Sequence, residues 1–199
     1  MANLDPLARE DLEEFESFFA ELESLAGYVP TAYFTLAHQP AFLEAWIGVS
    51  RALRTMRTVD PRLKALMSHV SSNMAGCRFC QAHTGQTAVK GGVSTEKLEA
   101  VWTFETSEMF TDAERAALRL AMGMGQTPNA VTPEHFDELR QHFDTGQISE
   151  MIIAVSMFGF WNRWNDTIAT ELERPVVEFA TAHLADHGWD GSKHVHASE

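Results

Sequence analysis

The chain has 199 residues, of which 45% are hydrophobic, and it carries a formal net charge of −13 at pH 7. This length and composition predict one folded domain rather than a disordered chain. The negative charge argues against nucleic acid and anionic membranes as partners, because both require a basic face.

The location of the protein is predicted from two segments. The acidic residues 1–20 lack the basic and then apolar pattern of a signal peptide. The longest strongly apolar run, Met151–Trp161, is far shorter than the roughly 20 residues that a membrane span needs. We therefore expect a cytoplasmic protein. In that reducing compartment, two cysteines favour a redox or metal role over a static disulfide.

Helical periodicity runs through most of the chain. Apolar residues recur at spacings of three and four over residues 5–25, and again over residues 42–53. Asp60-Pro61 is typical of a helix start. Gly76 then interrupts the pattern, and a new helix is predicted from the following cysteines to Lys90.

The second half of the chain continues the helical pattern. Thr111–Glu114 and Thr132–Pro133 are helix starts, and the last two helices are predicted over residues 148–173 and 175–187. No segment shows sustained strand alternation, so the sequence predicts an all-α helical bundle. We expect one domain over residues 1–190 and a flexible tail over residues 191–199, whose His194 and His196 are not expected to form a specific metal site.

The chemistry is concentrated in the segment Cys77–His83. This segment holds both cysteines, as CxxC, and His83 follows three residues after Cys80. A cysteine in the first turn of a helix lies at the positive end of the helix dipole, which stabilises a thiolate. A histidine one turn away can take or return the proton. His69, on the preceding helix, is a second imidazole that could reach the pair.

The residues around the CxxC carry a family resemblance. Residues 67–89, above all Gly76–Thr84 (GCRFCQAHT), resemble the active-site segment of the alkyl hydroperoxidase D and carboxymuconolactone decarboxylase superfamily, in its peroxidase-related branch. Similarity extends to residues 110–118, 129–143 and 158–166. The resemblance implies an alkyl hydroperoxidase D-like helical bundle that forms a homo-oligomer. We expect neither a cofactor nor a bound metal.

The resemblance also implies a thiol peroxidase cycle. Cys80 would attack a small hydroperoxide and become a sulfenic acid, and Cys77 would condense with it to a disulfide that an external dithiol or disulfide reductant restores. The residues alone leave the order of the two cysteines open. The helix dipole favours Cys77, whereas the nearer histidine favours Cys80.

The chain departs from the family pattern at two positions. The family histidine lies four residues after the second cysteine, where this chain has Thr84 with His83 one place earlier. The family's relay glutamate falls at Ala65. We hypothesise that His69, one turn further along that helix, replaces the missing glutamate.

Two other functions remain open at the sequence level. A carboxymuconolactone decarboxylase-like lyase needs a cationic or hydrogen-bonding clamp for a carboxylate and does not need two thiols. A zinc-binding structural module could use a tetrahedral set, formed by Cys77, Cys80, His83 and His69. The polar cluster Asn162–Asp166 is interpreted as a buried network or an oligomer contact rather than as a pocket lining.

Overall fold

The computed structural model describes residues 2–195, and the regular structure of these residues is helical, without a strand. The predicted all-α class is therefore confirmed. The ten α-helices are α1 Glu16–Ala26, α2 Thr31–Leu36, α3 Pro40–Thr55, α4 Pro61–Met74, α5 Arg78–Lys90, α6 Thr95–Glu99, α7 Asp112–Gly125, α8 Pro133–Leu139, α9 Thr145–Ile168 and α10 Arg174–His183. Short 3-10 turns occur at Arg9–Asp11, Glu13–Phe15, Ala100–Thr103, Ala185–His187 and Ser192–His194.

Helix α4 is the centre of the fold, where it packs against α5, α7 and α9. Every residue from Leu66 to Ser72 is buried. Two of the three buried serines of α4 satisfy their hydroxyls on the helix itself, because Ser68 donates to Lys64 O and Ser71 donates to Ser68 O. The hydroxyl of the third, Ser72, has no hydrogen-bond partner among the described residues.

The helix starts predicted at Asp60-Pro61 and at Thr111–Glu114 are confirmed. The Asp60 side chain caps α4 by accepting the Arg62 N–H, with Pro61 at the first helical position. Thr111 and Glu114 form a capping box at the start of α7. Each cap satisfies backbone N–H groups that have no partner within the helix.

The N-terminal part forms a second apolar cluster. The helix predicted over residues 5–25 is regular only from Glu16, and two 3-10 turns precede it. Its apolar face, including Phe18 and Phe19, packs with Leu43 of α3. Trp161 of α9 contacts both this cluster and the main core, so it joins the two.

The C-terminal part differs from the sequence prediction in two ways. Helix α9 ends at Ile168 rather than near residue 173, because Ala169 adopts a left-handed conformation with φ 52°. The segment predicted as a flexible tail instead folds back over residues 191–195, where His194 is completely buried. Residues 196–199, with His196, lie outside the described residues. Within residues 2–195, no helix has both the length and the apolar character to cross a bilayer.

Candidate active site

The two cysteines begin α5, as the sequence predicts. Gly76, with φ 74°, turns the chain after α4 and places Cys77 at the N-cap of α5. Cys77 Sγ accepts the backbone N–H of Cys80 across 3.4 Å. Both thiols therefore lie at the N-terminus of a helix, where its dipole favours negative charge.

Cys80 lies in the wall of a cavity of about 170 Å³. His83, one turn further along α5, and Asn165 of α9 share this wall. The remaining lining is mostly apolar and aromatic: Pro30, Ala32, Tyr33, Phe79, Thr87, Phe158 and Trp161. Asn165 Nδ2 donates to Cys80 Sγ across 3.8 Å. Asn165 is therefore buried and hydrogen-bonded, as interpreted for residues 162–166, but it also lines the pocket, which that interpretation did not favour.

The environment keeps Cys80 protonated. Burial raises the pKa of Cys80, and the hydrogen bond and charge of Cys77 raise it further, whereas the hydrogen bond from Asn165 opposes them only in part. A thiol with a raised pKa is a weak nucleophile at neutral pH. Chemistry at Cys80 therefore requires a base in the same cavity.

His83 is held beside a buried carboxylate. His83 Nε2 lies 2.8 Å from Glu173 Oε2, a charge contact outside hydrogen-bond geometry. Glu173 Oε1 accepts the Thr31 backbone N–H across 2.5 Å. Burial alone would raise the pKa of Glu173, but His83 and the Thr31 N–H outweigh it and lower this pKa. An ionised Glu173 can stabilise an imidazolium at His83.

Tyr28 lies on the other side of the His83 ring. Its hydroxyl donates to Gln86 Oε1 across 2.8 Å and is 3.5 Å from His83 Nδ1. Gln86 in turn donates to Pro175 O. Burial and the charge of Glu173 raise the pKa of Tyr28, which keeps the phenol neutral.

His69 connects α4 to α5 rather than lining the cavity. Its Nδ1 is 3.1 Å from both Gln81 O and Thr84 Oγ1. The ring is completely buried, and this burial lowers the pKa of His69 to about 4. These contacts are those of a neutral residue that holds two helices together, and a catalytic role for His69 stays a prediction.

A second group of polar side chains surrounds Cys77. Cys77 Sγ, a carboxylate oxygen of Asp166 and a ring nitrogen of His194 lie within 4.8 Å of one another. Across residues 2–195, no other three possible ligand atoms of His, Cys, Asp and Glu converge in this way. The zinc set considered from the sequence is therefore not assembled, because His69 and His83 are not part of the cluster.

Three residues of the site could not be assigned from the sequence. Glu173, Asn165 and His194 lie more than 80 residues from the cysteines along the chain and reach them only through packing. The one local signal was the polar segment that follows the apolar run of α9. It contains Asn165 but gives no indication of which thiol it meets.

Comparison with known proteins gives three kinds of match. Residues 40–122 match the Carboxymuconolactone decarboxylase family. YnjA of Escherichia coli K12 is 26% identical over 142 residues, which cover 71% of this chain and 73% of YnjA. A cysteine-to-alanine variant of the debrominase Bmp8, in complex with 2,3,4-tribromopyrrole, has 28% identity and a TM-score of 0.84, over 90% of this chain and 96% of Bmp8.

A further solved structure supports the fold. A peroxidase-related protein with an alkylhydroperoxidase AhpD core, from Ralstonia eutropha JMP134, has a TM-score of 0.77 at 20% identity, over 88% of this chain and 94% of that one. Its likeness concerns the helical arrangement. Taken with the family match across α3 to α7, it supports a relation of this chain to the alkyl hydroperoxidase D and carboxymuconolactone decarboxylase superfamily.

Proposed function

We propose that the protein is a thiol-dependent peroxidase whose CxxC cycles between dithiol and disulfide. One observation carries this proposal: Cys80 lines the cavity of about 170 Å³, whereas Cys77 caps the same helical turn and is not among the residues that line this cavity. This arrangement favours Cys80 as the thiol that meets the substrate and Cys77 as the thiol that resolves it. The family resemblance implies the same order.

The reaction begins with proton transfer from Cys80. His83 accepts the thiol proton, and Glu173 stabilises the imidazolium. The thiolate attacks the terminal peroxide oxygen, the O–O bond breaks, and His83 returns the proton to the leaving alkoxide as the alcohol departs. Cys80 is oxidised to a sulfenic acid, and the peroxide is reduced.

The second half of the reaction forms the disulfide. The Cys77 thiol loses its proton and attacks Cys80 Sγ, and the sulfenic oxygen leaves as water. An external dithiol then reduces the disulfide through a mixed disulfide and is itself oxidised. The balance is one hydroperoxide and one dithiol consumed for one alcohol, one water and one disulfide.

The lining of the cavity disfavours a decarboxylase. None of the ten described residues that line it is Lys or Arg. A lactone carboxylate would therefore meet no permanent cation in this lining, and its desolvation would be compensated only in part, by His83 and Asn165. The two thiols would also have no role in such a reaction.

A second candidate is the reductive removal of a halogen from an aromatic ring. It is favoured by the similarity to the debrominase Bmp8 and by the aromatic walls of the cavity. The balance would be one aryl bromide and two thiols giving one C–H bond, one disulfide and one hydrogen bromide. The same two cysteines would supply both electrons.

The test is turnover of an organic hydroperoxide with a dithiol reductant. Wild-type protein should lose both of its thiols after one equivalent of peroxide. Cys80→Ser should abolish turnover, and the matched variant Cys77→Ser should stop at a sulfenic acid that a dimedone probe traps. Turnover by Cys80→Ser would contradict the proposed order. Bromide release from 2,3,4-tribromopyrrole, without peroxide turnover, would favour the second candidate.

A further inference from the structure

The side of the CxxC that faces away from the cavity holds a group of potential ligands. Asp166 and His194 approach Cys77 from α9 and from the C-terminal segment. His194 is completely buried, and its Nε2 has no hydrogen-bond partner among the described residues. A buried ring nitrogen without a partner is costly. An ion bound at this nitrogen would remove that cost.

The tautomer of His194 is fixed by the backbone. His194 Nδ1 is 2.8 Å from Thr170 O, and a carbonyl can only accept, so Nδ1 carries the proton. Nε2 therefore presents a lone pair toward Asp166 and Cys77.

This geometry differs from that of a proton relay. In a Cys-His-Asp relay, the thiol and the carboxylate contact opposite ring nitrogens. In this cluster, Asp166 Oδ1 lies 3.7 Å from Nε2, and the opposite ring nitrogen, Nδ1, contacts the backbone carbonyl of Thr170 instead of a carboxylate. A histidine that binds metal through one nitrogen usually donates the other to such a carbonyl.

The spacing of the donors suits a small, thiophilic cation. Ligand atoms at about 2.0–2.3 Å from a tetrahedral zinc ion are roughly 3.3–3.8 Å apart. The Asp166–His194 distance of 3.7 Å fits this range, and Cys77 Sγ lies within 4.8 Å of a ligand atom of each of these two residues. Lys193 Nζ is 3.0 Å from the other carboxylate oxygen, which leaves Oδ1 for the ion.

We propose that Cys77 Sγ, Asp166 Oδ1 and His194 Nε2 bind one Zn²⁺ ion in the dithiol form of the protein. Binding replaces the Cys77 thiol proton with a zinc–sulfur bond and releases that proton to solvent. Three protein ligands leave the fourth tetrahedral position to water. Asp166 also borders a polar hollow of about 220 Å³, which provides a path for the ion.

Zinc and the disulfide are mutually exclusive. A sulfur in a disulfide is no longer a thiolate, so oxidation removes one of the three ligands. Conversely, a zinc-bound Cys77 cannot attack the oxidised Cys80. Zinc therefore inhibits disulfide formation. This inhibition rests on the proposed function, whereas the zinc site itself does not.

The test measures zinc binding without any peroxide. Reduced, chelator-treated full-length protein is titrated with Zn²⁺ against a chromophoric chelator, and Co²⁺ serves as a spectroscopic probe of thiolate ligation. The wild-type protein, the exposed-histidine control His142→Asn and Cys80→Ser should each bind one ion. His194→Asn keeps a donor for Thr170 O but removes Nε2, and should weaken binding by more than about 100-fold.

The remaining variants decide the outcome. Cys77→Ser should lose the thiolate-to-cobalt absorption that Cys80→Ser retains, and the disulfide form should bind at least about 100-fold more weakly than the dithiol form. Should His194→Asn fail to fold by circular dichroism, Asp166→Asn decides, because its side chain is 44% exposed and tolerates replacement. Zinc affinity unchanged in Asp166→Asn, or equal in both redox forms, would overturn the proposal.

Discussion

Burial acts on two acids of this site with opposite net results. The pKa of Cys80 is raised because burial is reinforced by the neighbouring thiol Cys77. The pKa of Glu173 is lowered because His83 and a backbone N–H outweigh its burial. One site therefore contains a protonated sulfur and an ionised carboxylate at the same pH, and His83 lies within reach of both environments.

Glu173→Gln should slow the oxidation of Cys80. Without the carboxylate, the imidazolium at His83 loses its counter-charge, and we expect the rate of thiol loss at neutral pH to fall by about 10–100-fold. Stopped-flow measurement of single-turnover thiol loss across pH 5–8 checks this, and the profile of the variant should shift as well as fall. The exposed neighbour Glu171→Gln is the control. An unchanged rate and profile in Glu173→Gln would remove Glu173 from the mechanism.

His69 should make the stability of the fold depend on pH. Its folded pKa of about 4 lies below the ordinary 6.5, so between these values the unfolded chain binds a proton that the folded chain does not. The stabilisation is therefore complete above pH 6.5 and is lost as pH falls toward 4, by up to about 3 kcal/mol at 1.36 kcal/mol per unit. Urea unfolding at pH 7 and pH 5 measures this loss.

The variant His69→Asn should flatten that pH dependence, whereas the exposed His142→Asn should keep it. An equal slope in His69→Asn and wild type would contradict the assignment. The same variant tests the relay hypothesis, because unchanged peroxide turnover in folded His69→Asn would exclude His69 as the replacement for the family glutamate.

Locality decided which site residues could be predicted. The first two turns of α5 hold Cys77, Cys80 and His83. Their sequence spacing was therefore sufficient to predict that they lie close together. Glu173 and His194 are brought to the site by the packing of the C-terminal segments, which periodicity does not encode. His194 in particular follows a glycine and a serine, a composition typical of a loose end.

At the level of elements, capped helix starts and the end of α5 at Lys90 were predictable, whereas the start of α1 and the end of α9 were not. Caps such as Asp60 and Thr111 act within one turn of their own residue, so the sequence shows them directly. Helix α9 ends at Ile168, and the left-handed residue that follows it, Ala169, is neither glycine nor proline. The terminating conformation there is accompanied by a contact of the next residue, since Thr170 Oγ1 donates to Asn165 Oδ1.

Gly125→Ala should destabilise the crossing of α7 with α4. A Cβ at residue 125 would lie 2.5 Å from Ser71 O and 2.7 Å from Met74 Cβ, so the two helices would have to separate. We expect a loss of about 1–3 kcal/mol in the free energy of unfolding, together with altered thiol reactivity, because Met74 ends the helix just before Cys77. Chemical denaturation measures the first effect.

Gly48→Ala is the matched control for that prediction. It lies inside α3, where a Cβ would meet nothing within 4 Å, and it should stabilise the protein by about 0.5–1 kcal/mol. Equal effects of the two substitutions would show that contact with α4 is not what Gly125 avoids.

Residues 2–195 form two apolar clusters, and Trp161 packs against both of them. The main core surrounds α4, and the second cluster lies between α1, α2 and α3. The ring centroid of Trp161 is 4.9 Å from that of Trp46 and 5.4 Å from that of Tyr33, both on the side of the second cluster. Trp161 also lines the cavity of Cys80. The all-α class was predictable at this scale because the apolar period recurs throughout the chain. The division of the apolar residues into two clusters was not predictable from that period.

Trp161→Ala should therefore affect stability and substrate binding together. We expect a loss of about 2–4 kcal/mol in unfolding free energy and a raised KM for a bulky hydroperoxide, because the cavity loses a wall. Denaturant unfolding and steady-state kinetics measure the two effects. Trp102→Ala, at a 41% exposed position, should change neither by a comparable amount. A stable variant with wild-type KM would show that Trp161 is not the junction.

The homo-oligomer implied by the family resemblance stays a prediction at this scale. Sedimentation equilibrium of the full chain checks it.

The left-handed turn at Ala169 has a consequence for both sulfurs at once. The four residues after it, Thr170–Glu173, hold His194 by a carbonyl and His83 by a carboxylate. Leu172 adds a backbone bond to His194 O across 2.9 Å. The segment Thr170–Glu173 therefore positions two imidazole rings: His194, which lies near Cys77, and His83, which lines the cavity of Cys80. We expect that lengthening this segment by a single residue would displace both rings together and would therefore impair both halves of the proposed redox cycle.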